Sequence, residues 1–332
     1  MKALQCVELA GPEKLIFSEV DDPKPGNGEV LIDIKAASVN FPDVLMIQGL
    51  YQNQPPMPFI PGAECSGVIK EIGKGVDSCD IGDRVFVMAG TGCFAEKLVV
   101  EATRITPIPD TMDFPVAAAL PMTYGTSLYA LKQRANLQPE ETLLVLGAAG
   151  GVGISAIEIG KAFGARVIAA ASTEEKTKIC IEHGADEAFV YPSGNLDRDQ
   201  QKELSNKIKE LTGGLGANVV YDPVGGSFSE PAIRALAWEG RFLVIGFAAG
   251  EIPKPPLNLA LLKNCQIVGV FWGAWTLMFP NEYDKNLQEL FELHANGKIN
   301  PEISDRFSLE ESAAAIAHLK DRKAKGKVII DV

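Results

Sequence analysis

The chain has 332 residues, enough for two domains of ordinary size, and its 46% hydrophobic and 22% charged residues are typical of a globular protein. The formal net charge of −12 argues against nucleic acid or an anionic membrane as the main partner, since both require concentrated lysine and arginine. The N-terminus lacks the continuous apolar run of a signal peptide, and the six scattered cysteines contain no CxxC pair. We therefore expect reduced thiols and a cytoplasmic protein.

Residues 1 to about 122 contain short β-like runs separated by proline and glycine. The runs include VLIDIKAASV, CSGVIKEIG, RVFVM and FAEKLVV, and the breaks include PKPGNGE and QNQPPMPFIPG. This pattern predicts an all-β, barrel-like unit with long loops.

From about Pro121 onward, strands and helices alternate. The predicted strands are LLVLG (143–147), RVIAAA, EAFVY, ANVVYD and RFLVIGF, and the helices between them include GVGISAIEIGKAFGA, TEEKTKICIEHGA, 199–211 and 227–237. Apolar strands separated by helices predict a parallel sheet covered on both faces. The uncharged stretch 264–281 is interpreted as buried strand and pocket wall. Helices near 284–295 and 309–320 and a last strand, KVIIDV, complete the chain.

A glycine-rich loop, LGAAGGVGIS, follows the strand at 143–147 and opens the next helix. It departs from the GxGxxG dinucleotide fingerprint only at its first position, Ala148. Gly150 lets the backbone approach a pyrophosphate, Gly153 allows close packing of helix on strand, and the helix N-terminus favours phosphate. The predicted cofactor-binding residues of the loop are Ala148, Ala149, Gly150, Gly151 and Val152. The alternative is a tight turn that binds nothing.

The end of the following strand favours NADPH over NADH. An NAD site usually has an acidic residue about 20 positions after the glycines, to bind the ribose hydroxyls. Here the strand ends in alanines followed by Ser172 and Thr173, with Lys176 one helical turn on. A carboxylate that would repel a 2′-phosphate is missing, and a cation is present. The alternative is a solvated lysine beside Glu174 and Glu175.

The glycine loop, together with VNFPDVLMIQGLY, FIPGAECSGVI, IGDRVF and MTYGTSLYAL, resembles the medium-chain dehydrogenases/reductases, specifically the zinc-independent quinone oxidoreductases related to zeta-crystallin. The resemblance implies an α/β fold: a doubly wound Rossmann sheet plus a GroES-like β-barrel catalytic domain. The implied boundaries are 1–122 for the GroES-like domain, 123–265 for the Rossmann domain and 266–332 for the return to the catalytic domain. It also implies a homodimer, with an interface strand near 266–272.

The resemblance also assigns site residues. Thr123, Val224, Gly246 and Phe247 should line the nicotinamide, and Ser172, Lys176, Tyr191 and Arg322 the 2′-phosphate. Tyr51 is the expected proton donor, Asn40 the hydrogen-bond partner of the substrate carbonyl or the nicotinamide ribose, and Asp43 the residue that fixes their loop. Phe271, Trp272 and Trp275 are candidates to stack on a flat substrate. The alternatives are packing for Tyr51 and these aromatic residues, and turn formation for Asn40 and Asp43.

No metal is expected. Zinc-bearing relatives have Gly-His-Glu where this chain has Gly62-Ala63-Glu64, and a cysteine near the position of Asn40. Cys79 and Cys93 stand apart, unlike the clustered cysteines of a structural zinc lobe. The three histidines, His183, His294 and His318, fit packed or solvated positions.

Three functions follow from these observations. The first is NADPH-dependent hydride transfer to a quinone, which needs no metal, base or nucleophile because the hydroquinone product takes its one remaining proton from water. The second is reduction of an enone or an enoyl thioester, for which Tyr51 would be the acid. The third is a low-turnover NADPH-binding structural or RNA-binding protein. The acidic charge disfavours RNA as a partner, and the intact glycine loop with Tyr51 disfavours a vestigial site.

Overall fold

The computed structural model describes residues 1–332, which form two compact units, Met1–Met122 with Pro301–Val332 and Thr123–Asn300. The strands are β1 (Lys2–Gln5), β2 (Ile16–Glu19), β3 (Glu29–Val39), β4 (Glu64–Ile72), β5 (Arg84–Met88), β6 (Lys97–Glu101), β7 (Ile105–Pro107), β8 (Thr142–Leu146), β9 (Arg166–Ala171), β10 (Glu187–Val190), β11 (Ala217–Asp222), β12 (Leu236–Val244), β13 (Gln266–Gly269), β14 (Ile303–Ser308) and β15 (Lys327–Asp331). The helices are α1 (Phe41–Met46), α2 (Phe114–Leu128), α3 (Gly151–Ala162), α4 (Glu174–Glu182), α5 (Arg198–Leu211), α6 (Ser229–Arg234), α7 (Asn258–Lys263), α8 (Trp272–Met278), α9 (Pro280–Ala295) and α10 (Ser312–Lys320).

The first unit is built around β3 in a seven-stranded sheet, of which six strands follow the order β14–β15–β3–β4–β5–β7 and the seventh, β6, pairs with β3. Along one edge β3 pairs first with β6 and then with β15, and along the other it pairs with β4, always antiparallel. Register shifts between β3 and β4 bend the sheet. Val30, Ile32 and Ile34 of β3 are buried in the core of this unit. The ends of β3, β4 and β15 therefore meet at one edge, where the candidate residue Asn40 is the N-cap of α1.

The second unit contains a parallel six-stranded sheet ordered β10–β9–β8–β11–β12–β13. This is the doubly wound order in which the first two βα crossovers run to one side of the first strand and the later ones to the other. Leu143 to Leu146 are fully buried, as a central parallel strand requires. The carboxyl ends of β8 and β11 lie side by side at the point where the order reverses, which is where such folds bind their ligands.

The predicted boundary at 122/123 coincides with the division between the units, but the second boundary differs. Residues 266–300 belong to the parallel-sheet unit and not to the returning segment. The reason is pairing and packing: β13 is the sixth strand, and Gln133 exchanges hydrogen bonds with Asn286 of α9. The chain returns only at Pro301.

Three element predictions also differ from the structure. Residues 1–122, predicted to be all-β, also contain α1 and the first part of α2. The helix predicted at 227–237 ends at Arg234, because Leu236 already pairs with Ala217 in the sheet. The stretch 264–281, predicted as strand and pocket wall, contains one short strand and then the helix Trp272–Met278.

No helix has the combination of length and apolar character that a membrane span requires.

Candidate active site

The glycine loop turns directly from β8 into α3. Gly147 has a φ of +59°, and Gly150 is the N-cap of the 12-residue helix, with Ala149 buried before it and Gly151 and Val152 in the first turn. A Cβ on Gly153 would lie 2.5 Å from the carbonyl oxygen of Ala148, so only glycine fits there. A Cβ on Gly150 would meet nothing closer than 3.5 Å. The backbone at Gly150 is therefore open, and the helix end presents amides to an anion.

The turn after β11 packs against this loop and is organised by Asp222. One oxygen of this buried carboxylate accepts from the amides of Val224 and Gly225 at 2.8 and 2.9 Å, and the other accepts from the Ser229 hydroxyl at 2.6 Å. Burial raises the pKa of Asp222, and these three donors partly offset that effect. A Cβ on Gly147 would lie 2.9 Å from the Val224 side chain, so the two turns touch.

The turn after β12 joins the same edge. The amide of Gly246 donates to the Asp222 carbonyl at 3.3 Å, and a Cβ on Gly225 would lie 2.9 Å from the ring of Phe247. Three of the predicted nicotinamide residues, Val224, Gly246 and Phe247, thus lie together. The sequence predictions missed Asp222; its signal was an acidic residue closing a buried strand before Pro-Val-Gly-Gly.

The residues predicted for the 2′-phosphate divide between the units. Ser172 follows β9, Lys176 lies in the first turn of α4, and Tyr191 follows β10. The Tyr191 amide donates to the Ala171 carbonyl at 2.9 Å, which brings the ends of β9 and β10 together. Arg322, with a φ of +59°, belongs to the other unit.

Thr123 is the first residue of the parallel-sheet unit and is buried. Its carbonyl accepts from the Ser155 hydroxyl at 3.1 Å, and Ser155 is also 2.7 Å from the Ser127 hydroxyl, itself 2.8 Å from the Tyr221 hydroxyl. This chain of hydroxyl groups fixes Thr123 relative to α3 and β11.

In the first unit, Asn40 and Asp43 form a capping box at the start of α1. The Asn40 amide donates to Oδ2 of Asp43 at 2.7 Å. The Asn40 side chain is held by two residues that the sequence predictions did not assign to the site as functional residues: its Nδ2 lies 2.7 Å from Oε1 of Glu64, and its Oδ1 lies 2.7 Å from Nζ of Lys327. Glu64 and Lys327 also pair directly at 3.0 Å and are almost fully buried.

Asp43 is fully buried, and its Oδ1 makes no hydrogen bond of normal geometry. Burial is the main reason that its pKa rises to about 7, and the charge of Glu64 adds to the rise. The backbone amides of Asn40 and Gly62 and the charge of Lys327 oppose it.

Tyr51 lies half-buried against the core of this unit, near enough to Asp43 for its charge to act on the phenol. Burial first, and Asp43 second, raise the pKa of Tyr51. The phenol therefore keeps its proton at neutral pH, as a proton donor must. The structure thus brings Asn40, Asp43 and Tyr51 together.

The three aromatic candidates for the substrate pocket differ in their surroundings. Trp272 is buried against α2, where a Cβ on Gly125 would lie 2.6 Å from its ring, and its Nε1 has no hydrogen-bond partner. Trp275 stacks on Tyr129 with 4.5 Å between ring centroids. Phe271 is 62% exposed. Trp272 and Trp275 thus have packing roles already, whereas the Phe271 ring is free to meet a partner.

The side chains around Asn40 do not suit a zinc ion. No group of three or more His, Cys, Asp or Glu residues is arranged to hold a metal. Zinc prefers Cys, His and carboxylate ligands, whereas here Ala63 has no ligand atom and Glu64 is engaged by Lys327.

A parallel sheet with a glycine-rich first turn, continuous with a bent and largely antiparallel β unit, defines a medium-chain oxidoreductase. Residues 26–110 match the family described as alcohol dehydrogenase GroES-like domain, and residues 151–292 match the family described as zinc-binding dehydrogenase.

The chain is similar over nearly its whole length to known proteins. It is 38% identical to the quinone oxidoreductase-like protein 2 homolog of Nematostella vectensis, over 99% of this chain and 88% of that one. A mycobacterial protein solved in complex with NADPH superposes with a TM-score of 0.92 at 29% identity, with full coverage of both chains. Escherichia coli quinone oxidoreductase complexed with NADPH superposes with a TM-score of 0.90 at 26% identity, also over 100% of both chains. The chain therefore belongs to the quinone oxidoreductase family of the medium-chain dehydrogenase/reductase superfamily.

Proposed function

We propose that the protein is an NADPH-dependent, zinc-independent quinone oxidoreductase. The observation that carries this proposal is the open backbone at Gly150, together with the residues that follow β9. These residues include Ser172 and Lys176, and no carboxylate stands directly after β9, where an NAD site would bind the ribose hydroxyls. The two solved relatives complexed with NADPH support the choice of cofactor.

Three sets of residues would hold NADPH in the parallel-sheet unit. The pyrophosphate would lie at the N-terminus of α3, against the backbone of 148–152, where amides and the helix dipole favour negative charge. Ser172, Lys176 and Tyr191 would surround the 2′-phosphate. The turns that contain Val224, Gly246 and Phe247 would line the nicotinamide side, and the Asp222 carboxylate holds the first of these turns through the amides of Val224 and Gly225. Arg322, in the other unit, stays a prediction for the 2′-phosphate.

When bound, NADPH supplies a hydride from nicotinamide C4 to the acceptor. With one proton from solvent, a quinone becomes a hydroquinone and the cofactor becomes NADP⁺. The protein orients the two reactants and excludes water, and it needs neither metal nor nucleophile for this reaction. The Lys327–Glu64 pair, which leaves no vacant ligand set, supports independence from zinc.

A second candidate is reduction of an enone or an enoyl thioester, and the surroundings of Tyr51 favour it. Reduction of such an acceptor leaves an enolate that needs an acid, and Tyr51 is a protonated phenol beside Asp43. A quinone has less need of that acid.

A homodimer formed through the edge of the parallel sheet belongs to the same proposal. β13 has a neighbour on one side only, and 42% of Ile267 is exposed. Large apolar side chains lie exposed in the flanking segments at Leu261, Leu262, Leu277, Met278 and Phe279. An unpaired edge with apolar flanks is suited to a second copy of the chain.

The six free cysteines, four of them buried, support a reducing compartment such as the cytoplasm.

The test is oxidation of NADPH and NADH by the purified protein, with a para-quinone and an enoyl thioester offered in parallel. We expect rapid NADPH oxidation with the quinone and at least about tenfold less with NADH, the ratio that about 1.4 kcal/mol of phosphate binding gives. Preference for the thioester would select the second candidate. Tight NADPH binding without turnover of either acceptor would contradict both.

A further inference from the structure

The side chain of Asn40 lies in a buried charged cluster at the ends of three strands. Lys327 begins β15, Glu64 begins β4, and Asn40 follows β3. Val328 is paired with Val39, and Ser38 with Glu64, so the sheet itself brings the three side chains together. Their exposed fractions are 3% for Lys327, 0% for Glu64 and 5% for Asn40.

The chemistry of the two charged neighbours fixes which way the Asn40 amide points. An ammonium group can only donate hydrogen bonds, and an ionised carboxylate can only accept them. Nζ of Lys327 lies 2.7 Å from Oδ1 of Asn40, and Oε1 of Glu64 lies 2.7 Å from Nδ2. A rotation of the amide by 180° would set donor against donor and acceptor against acceptor inside the core. The network therefore allows a single orientation.

The hydrogen-bonding capacity that remains on Asn40 follows from this orientation. Nδ2 has two hydrogens, and both are engaged, one with Glu64 and the other with the Ser38 carbonyl at 3.3 Å. Oδ1 can accept two hydrogen bonds and receives one from Lys327. One acceptor position on Oδ1 is left, and no donor.

We propose that Lys327 and Glu64 are positioning residues that lock the Asn40 amide, so that Asn40 meets a bound ligand only as a hydrogen-bond acceptor. The ligand group opposite Asn40 must then carry a donor. Ribose hydroxyls of a dinucleotide are such donors, whereas the carbonyl oxygen of a quinone or an enone is not. This inference rests on the proposed function, and it assigns Asn40 to the cofactor and not to the acceptor.

Glu64 also forms a hydrogen bond with the chain segment that precedes Thr123. Its second oxygen, Oε2, accepts from the amide of Met122 at 2.9 Å, directly after Pro121 within α2. The carboxylate thus bridges Asn40 and the residue preceding Thr123, and Lys327 neutralises it.

The decisive variant is the double substitution Lys327→Met with Glu64→Gln. Lys327→Met alone leaves a buried carboxylate without its cation and is expected to unfold or destabilise the protein strongly. The double variant removes both charges together, so it should keep the fold. The new glutamine amide can donate as well as accept, and the new methionine thioether can only accept weakly, so the Asn40 amide is no longer locked. Lys70→Met, an exposed position on β4, is the matched control.

The first readout is the exchange of the Asn40 side-chain NH₂ protons, followed by NMR without any ligand. We expect slow exchange in the wild type and in Lys70→Met, and exchange at least about tenfold faster in the double variant, as for loss of one hydrogen bond. Equal exchange rates in the wild type and the folded double variant would overturn the lock. This readout is independent of NADPH, so it separates a failure of this inference from a failure of the proposed function.

The second readout compares the two ligands. In the double variant we expect the Kd for NADPH, measured by fluorescence without an acceptor, to rise about tenfold. The KM for the quinone should stay within about twofold of wild type. A purely structural role would alter both or neither. A raised quinone KM with an unchanged NADPH Kd would overturn the assignment of Asn40 to the cofactor, and a wild-type protein that binds no NADPH would overturn the proposed function itself.

Discussion

The ammonium nitrogen of Lys327 lies 2.7 Å from the side-chain oxygen of Asn40, although 287 positions separate the two residues in the chain. The antiparallel pairing of β15 with β3 creates this contact. The last strand of the chain therefore does more than complete the bent sheet, because it delivers a buried cation to a candidate active-site residue. The same ammonium group stabilises the buried carboxylate of Glu64, whose charge would otherwise be unpaired in the core.

Asp43→Asn should weaken the pH dependence of stability. Burial raises the pKa of Asp43 to about 7 in the folded protein, against an ordinary value of 3.8. Between these values the folded protein holds a proton that the unfolded chain releases. The contribution of Asp43 to the free energy of unfolding is therefore full below about pH 4 and is lost as the pH rises through about 7.

The measurement for Asp43 is urea unfolding at several values between about pH 5 and pH 8, across the range in which the folded group titrates. The asparagine introduced by Asp43→Asn is neutral at every pH and can still accept from the Asn40 amide. The variant should therefore lose less stability over this range than the wild type. Asp77→Asn, on the exposed surface, controls for the loss of one carboxylate. Parallel curves for the wild type and Asp43→Asn would contradict the prediction.

Tyr51→Phe should distinguish the two classes of acceptor. A general acid contributes about 10²–10⁴-fold to a rate, so we expect enone or enoyl-thioester reduction to fall by at least about 100-fold. Quinone reduction should change by less than about fivefold, because water can protonate the hydroquinone anion that hydride transfer leaves. Kinetics with both acceptors, together with the NADPH Kd as a control for folding, provide the comparison. An equal loss with both acceptors would assign Tyr51 to binding.

The local parts of the fold and site were predictable from the sequence, and the long-range parts were not. The glycine loop at 147–153 and the buried strands are each determined by neighbouring residues, so their pattern is visible in a short window. The motif KVIIDV predicts a strand, but nothing within it indicates a partner for Lys327 on β3 or β4. Glu64 stands in a stretch that is comparable with a zinc motif, but its pairing with Lys327 depends on strand register.

The segment 266–300 shows the same limit in the division of the chain. Its elements were partly predictable, but its membership of the parallel-sheet unit depends on β13 pairing with β12 and on hydrogen bonds from Gln133 to α9. Sequence patterning does not specify which sheet edge a short strand such as QIVG extends.

Two alanine substitutions in the glycine loop should separate folding from cofactor binding. Gly153→Ala would place a methyl group 2.5 Å from a backbone oxygen, and we expect a loss of about 2–3 kcal/mol in the free energy of unfolding. Gly150→Ala has room, with a φ of −81°, so the fold should be kept. Its methyl group would instead occupy the face offered to the pyrophosphate, and NADPH affinity should fall at least about tenfold. Thermal unfolding and NADPH titration of both variants are the measurements; unchanged NADPH binding by Gly150→Ala would remove the pyrophosphate from this loop.

Lys176→Ala should reduce the preference for NADPH. A lysine–phosphate contact at the start of α4 is worth about 1–2 kcal/mol, so we expect the KM for NADPH to rise about tenfold. The KM for NADH should not change, because NADH lacks the 2′-phosphate. Lys178→Ala, an exposed position on the same helix, is the matched control and should leave both constants unchanged. A parallel rise for both cofactors would place Lys176 outside the phosphate site.

Ile267→Lys should prevent association through the edge of the parallel sheet. Ile267 lies on β13, the outermost strand, and a lysine there would bring two like charges together across any two-fold pairing of that edge and would desolvate both. Sedimentation velocity over a hundredfold range of concentration should show a dimer for the wild type and a monomer for the variant, with the fold of each protomer retained.

Ile81→Lys is the control, because Ile81 is also an exposed isoleucine, at 67%, but lies in the other unit. It should remain dimeric. A variant at Ile267 that sediments as the wild-type dimer would exclude this edge as the interface and direct the search to the exposed apolar residues of α7 and α8.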